Sequence, residues 1–220
     1  MVSASEMKVI LFGIGGVGSW CAETLVRTGV TDLIVVDSDT VEASNLNRQL
    51  VALHSTLGRP KVEVMRQRLL DINPDAHITA LQMRYDATTV DEFDFNQYDV
   101  VIDAIDSLDD KLLLIQRATE SSARFLSSMG AARRRDPGQV AVAEFWQVKG
   151  CPLARALRNR IKKEKLFPKK KFLCVYSAEP AFPGSPVVPD IPGSPDIPRL
   201  PSLMTVTATF GIRLASMALQ

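Results

Sequence analysis

Cysteine and histidine are scarce in this chain, at three and two of 220 residues. Cys21, Cys151 and Cys174 stand far apart, and no Cys-x-x-Cys pair occurs. An odd, scattered set excludes a disulfide framework and fits a reducing cytoplasm. With no paired thiols and only His54 and His77, a structural zinc site is excluded as well. Long hydrophobic runs are also missing. The last apolar stretch, Leu203 to Leu219, contains Arg213 and three threonines, and it falls short of the roughly 20 apolar residues of a spanning helix. It reads as a packed C-terminal helix. Residues 1–7 lack the basic and apolar succession of a signal peptide, so none is expected. Neither sign of charge prevails, with 26 Lys/Arg against 25 Asp/Glu.

What is present is ordinary in bulk and uneven in detail. A hydrophobic fraction of 46% and a charged fraction of 23% suit a globular chain with one good core. Residues 1–150 hold 15 Lys/Arg and 21 Asp/Glu, a net of −6, whereas residues 151–220 hold 11 and 4, a net of +7. That asymmetry points to a polyanion-facing surface on the C-terminal side.

Strand and helix patterns alternate through the first 130 residues. Apolar runs at 8–12, 33–36, 78–83, 98–103 and 124–129 read as buried strands. Helices are expected at 17–28, stopped by Gly29, at about 61–73, opened by Pro60, and at about 108–121. This βαβα order predicts an α/β chain, Rossmann-like and doubly wound, with a mostly parallel sheet and helices on both faces. Val140 to Val148 is a partly alternating run that extends or flanks the sheet.

The last third changes character. Arg155 to Lys171 carries nine Lys/Arg and one Glu, with Leu153, Leu157 and Ile161 four residues apart. A solvated helix face and a nucleic-acid contact both fit that stretch. Proline then recurs at every third position from Pro180 to Pro201. Three residues per turn is the polyproline II period, and the segment could reach roughly 65 Å. It reads as a semi-rigid spacer, with a lid over a site as the alternative. Cys21 falls on a helix and reads as core. For Cys174 a buried strand position stands against a reactive thiolate, which would need exposure and a depressed pKa.

The chemistry is concentrated between Gly13 and Ser107. Gly13, Gly15 and Gly18 match G-x-G-x-x-G between a strand and a helix, where backbone and helix N-terminus accept phosphate. Asp37 ends the second strand, where a carboxylate can accept from ribose hydroxyls. This much leaves NAD, FAD and ATP open. Arg48 follows a Ser44-Asn45-Leu46-Asn47 run, Lys61 opens a helix, and Asp106 lies just past a buried strand, at the edge where open α/β sheets bind ligands. Singly, these would be two surface cations and a helix N-cap, and Asp103 has the same N-cap alternative. Together with the glycine turn they suit phosphoryl chemistry, with Asp106 serving Mg²⁺ on phosphate oxygens. Hydride transfer leaves Arg48, Lys61 and Asp106 without a task.

The motifs Gly13-Ile14-Gly15-Gly16-Val17-Gly18, Asp37-x-Asp39-x-Val41, Ser44-Asn45-x-Asn47-Arg48-Gln49, Gly58-Arg59-Pro60-Lys61 and Asp103-Ala104-Ile105-Asp106 resemble those of the ThiF/MoeB/ubiquitin-activating superfamily of adenylating enzymes. Within it, Asn45 to Gln49, Val101 to Ser107, Asp136-Pro137, Cys174 to Glu179 and Thr205 to Gly211 are similar to the tRNA threonylcarbamoyladenosine dehydratases. The resemblance implies ATP-dependent cyclisation of N6-threonylcarbamoyladenosine in tRNA through an acyl-adenylate. It implies that Gly13, Gly15, Gly16, Gly18, Asp37, Asp39, Ser44, Asn45, Asn47, Arg48, Lys61, Asp106 and Ser107 hold ATP. Arg48 and Lys61 would stabilise the phosphoryl transition state, and Asp106 would serve Mg²⁺.

Residues 1–150 would form the Rossmann-like adenylation domain, with 151–220 (basic helix, proline loop and C-terminal helix) packed on it. A cytoplasmic homodimer, tRNA bound through the basic run and a cysteine-desulfurase sulfur-relay partner are the implied associations. Family members bring an arginine from a segment before the first strand to the partner subunit's ATP. Residues 1–7 hold no arginine, which, if this is the natural start, predicts weakened or lost turnover. Adenylation of a ubiquitin-like sulfur carrier and a non-catalytic nucleotide-binding scaffold are the alternative functions. The missing zinc cysteines and the basic C-terminal third count against the carrier.

Overall fold

The apolar run Lys8–Phe12 forms β1, whose last four residues are all buried. Burial on both faces is what a central parallel strand requires. The structure is a computed structural model that describes residues 3–180 and 202–220. The strands that follow are β2 (Asp32–Val36), β3 (His77–Leu81), β4 (Val100–Asp103), β5 (Arg124–Ser128), β6 (Val140–Glu144) and β7 (Leu173–Ser177). The helices are α1 (Gly18–Arg27), α2 (Lys61–Ile72), α3 (Leu108–Glu120), α4 (Pro152–Glu164) and α5 (Met204–Ala218).

Among the described residues the strands form one sheet in the order β3-β2-β1-β4-β5-β7-β6. Every pairing is parallel except β6 with β7. The chain leaves β1 to one side through β2 and β3, and returns to the other side at β4. The crevice outside β1 and β4 is therefore the switch point where ligands of such sheets bind. One face of the sheet packs on α1, α2 and α5 through Leu25, Met65, Leu69, Phe210 and Leu214. The other face packs on α3 and α4, with Phe12 in edge contact with Tyr85, Phe93 and Phe95.

The mostly parallel α/β architecture matches the sequence expectation, Val140–Glu144 extends the sheet as expected, and two details refine it. The run Val140 to Val148 does not stay extended: Glu144 accepts from the Trp146 backbone N–H at 2.9 Å and starts a 3-10 turn over Phe145–Gln147. The third strand stops at Leu81, because the Met83 N–H turns back to the Leu81 carbonyl at 3.0 Å. Cys21 is buried in the core, as its helix position suggested. The proline repeat from Pro183 to Pro201 lies outside the described residues. No helix among the described residues is long and apolar enough to cross a membrane.

Candidate active site

Register brings the motifs to one edge. Phe12 pairs with Val36 on one side and with Asp103 on the other, so the turn after β1, Asp37 after β2 and Ala104 to Ser107 after β4 emerge together. They border a cavity of about 620 Å³, within the size range of small-molecule sites.

The turn is built by contacts only glycine permits. Gly13 has φ +89°, and a Cβ there would lie 2.7 Å from the Ala104 carbonyl oxygen. A Cβ on Gly18 would sit 1.7 Å from the Gly13 carbonyl oxygen, so α1 could not begin where it does. The turn is tied to β2 as well. Ile14 N–H donates to Asp37 Oδ2 at 2.6 Å and Asp39 N–H to Asp37 Oδ1 at 2.8 Å. Burial pushes the Asp37 carboxyl up from its ordinary range, while the Lys61 charge and these two N–H groups hold it down. Its pKa ends above the usual value.

Both cations are buried and aimed. Arg48 is 8% exposed. Its Nη1 donates to the Ser44 carbonyl and to Asn47 Oδ1, each at 2.8 Å. Burial lowers its pKa, and attraction to Asp106 counters this in part. Lys61 is 5% exposed. Its Nζ lies 2.7 Å from Asp39 Oδ2, whose side chain is 63% exposed. The bulk of the Lys61 stem is therefore in the core, and its charge faces an acceptor that water can replace.

Of the residues singled out by sequence, Gly13, Gly15, Gly16, Asp37, Asp39, Ser44, Asn45, Arg48, Lys61, Asp106 and Ser107 line the cavity. Gly18 and Asn47 do not. Gly18 sits behind the turn as its spacer. Asn47 turns away, its Nδ2 donating to the Ser202 carbonyl at 3.1 Å while its Oδ1 supports Arg48. Asp106 and Asp103 are not the N-caps that their positions allowed. Ser107 is the N-cap residue of α3, and Asp106 is left exposed at the cavity rim.

Asp103 has a different task. It is fully buried against Lys111 Nζ at 2.7 Å, accepts from Ser127 Oγ at 2.6 Å and from Ile105 N–H at 3.0 Å. Lys111 also donates to the Ile105 carbonyl at 2.7 Å. This closed network fixes the loop that presents Asp106.

A family model described as the ThiF family matches residues 1–219. The chain belongs to the ThiF family. It is 39% identical over 180 residues to a tRNA threonylcarbamoyladenosine dehydratase of Bacillus subtilis, across 82% of this chain and 68% of that protein. The Haemophilus influenzae protein of the same name is 34% identical over 180 residues, across 80% and 69%. The crystal structure of the Escherichia coli tRNA N6-threonylcarbamoyladenosine dehydratase TcdA in complex with ATP aligns with a TM-score of 0.85 at 33% identity, covering 98% of this chain and 85% of that one.

This ThiF-family site also contains residues that the sequence did not mark as ligands, two of them (Gln49 and Thr207) lying inside the resemblance motifs. Glu42, Gln49, Ser202 and Thr207 line the cavity, and the last two come from beyond residue 200. The Gln49 Oε1 is buried without a hydrogen-bond partner, an acceptor available to a ligand donor. Arg84 and Asp110, paired at 2.9 Å, close another side. Lys111 follows Asp103 by eight residues, a spacing with no motif to mark it.

Proposed function

We propose that this chain is an ATP-dependent tRNA threonylcarbamoyladenosine dehydratase acting in the cytoplasm. One observation carries the reading. Arg48, Lys61 and Asp106 converge with a glycine turn on one cavity, in a chain that shares about a third of its residues with named dehydratases, one of them solved with ATP.

The site suits a nucleoside triphosphate. The glycine turn offers phosphate-sized space and N–H groups at the start of α1. Asp37, held in place by two N–H groups, can accept from ribose hydroxyls. Arg48 and Lys61 provide positive charge for phosphate oxygens, where fixed charge accounts for much of phosphoryl-group catalysis. Among the described residues no group of three or more His, Cys, Asp or Glu side chains could hold a metal. Magnesium usually keeps several waters and binds through one or two carboxylates plus substrate phosphates. The donor set therefore fits Mg²⁺ arriving on ATP, with Asp106 as its protein ligand; the ion would neutralise charge on the phosphates.

In the reaction, a carboxylate oxygen of the threonyl group bonds to the α-phosphorus and pyrophosphate leaves. The neighbouring carbamoyl group then attacks the activated carbonyl, the ring closes and AMP leaves, so the nucleoside loses the elements of one water. Arg48 and Lys61 meet the negative charge that develops in the first step. Arg48 is already desolvated and held by two hydrogen bonds, so little reorganisation is needed as charge builds.

A homodimer belongs to the same reading, supported by the exposed apolar side chains of Leu53, Leu57, Met204 and Ile212. A cysteine-desulfurase partner would find no exposed thiol here, because all three cysteines are buried.

The test is turnover. The protein, ATP–Mg and tRNA bearing threonylcarbamoyladenosine are incubated, and the digested nucleosides are weighed. Loss of one water with release of AMP and pyrophosphate is the expected result. ATP binding with an unchanged nucleoside would sink the reading.

A further inference from the structure

The nine cations between Arg155 and Lys171 divide into two groups. Arg158 Nη1 donates to the Phe145 and Val148 carbonyls at 3.0 and 2.9 Å, fastening α4 to the turn after β6. Arg160 pairs with Asp109 at 2.9 Å and also with Glu164, the one acid of the run. Lys170 Nζ donates to the Ser121 and Ala123 carbonyls at the end of α3. The other six, Arg155, Lys162, Lys163, Lys165, Lys169 and Lys171, are exposed and form no ion pair among the described residues. The fold uses three of the nine, and six are left facing solvent.

Aromatic surface lies among them. Phe167 is 54% exposed. Its ring stacks on Trp146 at 6.2 Å between centroids and 30° between planes. Lys162 Nζ stands 5.9 Å from the Trp146 ring centre. A large ring left half in water on a segment this charged is not serving the core. Cations beside open aromatic faces are the usual equipment for unpaired nucleic-acid bases, which stack on the rings while phosphates meet the lysines. Helix α4 connects the platform to the active site. Leu153, in the first turn of α4, lines the cavity, and Lys162 is nine residues further on, roughly 13 Å at 1.5 Å rise per residue.

We infer that Phe167 and Trp146, with Lys162 beside the Trp146 ring and Lys163, Lys165, Lys169 and Lys171 exposed on the same run, form a stacking platform for unpaired bases of the RNA whose modified nucleoside enters the cavity. The inference rests on the proposed RNA substrate and adds where and how the RNA is held. Being binding elements away from the reacting atoms, these residues set RNA affinity and leave the chemical step alone.

Three variants isolate the effect: Phe167→Ser, Phe167→Tyr and the triple change Lys162→Glu, Lys163→Glu, Lys165→Glu. Direct binding of unmodified tRNA transcript and of ATP is measured for each, alongside turnover of modified tRNA. Phe167→Ser is expected to weaken tRNA binding on the order of tenfold and Phe167→Tyr to retain it. The triple variant is expected to weaken it further and to flatten its salt dependence. ATP affinity and kcat at saturating tRNA should stay within about twofold of the unaltered protein. Unchanged tRNA affinity in both Phe167→Ser and the lysine variant overturns the platform, whether or not the protein turns over. Loss of ATP binding in step with tRNA binding also overturns it, since it would show a purely structural role. An unaltered protein that binds tRNA through this platform but leaves the nucleoside unchanged would sink the dehydratase reading alone.

Discussion

The nucleotide crevice and the basic end of α4 handle charge in opposite ways. Around the crevice Asp37 is held by two backbone N–H groups, Arg48 by Ser44 and Asn47, and Asp103 by Lys111 and Ser127, while Asp106 stays exposed at the rim. Along α4 and the segment after it six cations are neither buried nor ion-paired among the described residues. Chemistry at one phosphorus atom needs donors fixed in advance, because reorganisation during the reaction raises the barrier. A long polyanion needs only a dense, mobile array, since its attraction is summed over many phosphates. The two regions share one chain, and their charges have different tasks.

Several measurements would break or sharpen that contrast. The largest effect belongs to the held cations. Arg48→Ala should reduce the rate of pyrophosphate release on the order of 10²- to 10³-fold, with Lys61→Ala close behind. If either loses less than about threefold, charge at the crevice is not positioned for chemistry. The buried Asp103–Lys111 pair should show next, in stability. Lys111→Met leaves an uncompensated carboxylate and should cost about 3–5 kcal/mol, read as a fall in thermal midpoint. A midpoint shift no larger than that of Lys163→Met, on the exposed run, would erase the distinction between held and free charge. Gly18→Ala should cost about 1–3 kcal/mol and weaken ATP binding as well, because the added methyl meets the Gly13 carbonyl.

A smaller effect concerns pH. The Asp37 carboxyl titrates above its ordinary range through burial. Below its raised pKa it is protonated and loses an acceptor for ribose, so ATP affinity should decline as pH falls through that region. Asp37→Asn should flatten the decline. An identical pH profile in the variant would remove Asp37 from nucleotide recognition. The smallest effect is an inertness. Burial pushes the Cys21 and Cys174 thiols up, so a thiol reagent near neutral pH should modify neither in the folded protein, and both on unfolding. Rapid labelling of Cys174 in the native state would return it to consideration as a reactive thiolate.

Much of the crevice was legible in order along the chain. Gly13, Gly18 and Asp37 occupy a strand–turn–helix–strand unit whose local sequence dictates its geometry, and Pro60 announces the helix that carries Lys61. Asn47 was legible as a residue of the site, but its direction was not: whether an amide faces the cavity or supports its neighbour depends on Ser202, 155 residues away. Asp106 and Asp103 looked alike as helix caps, and packing separated them. Only the parallel register of β4 with β5 puts Ser127 opposite Asp103 and seals one carboxylate inside while the next one remains at the rim.

The sequence by itself determined the alternation of strands and helices, the glycine turn, the placement of cations and acids after strand ends, and the basic character of the last third. These follow from short-range periodicity and steric rules, which act over a few residues. The tertiary structure alone decided which face each of those groups turns to. It lodged Lys111 behind the loop that presents Asp106, brought Thr207 to the cavity, and sorted nine cations of one run into three that hold the fold and six that face solvent. Such choices depend on partners tens to hundreds of residues away, and a partner's distance is set by packing rather than by spacing along the chain.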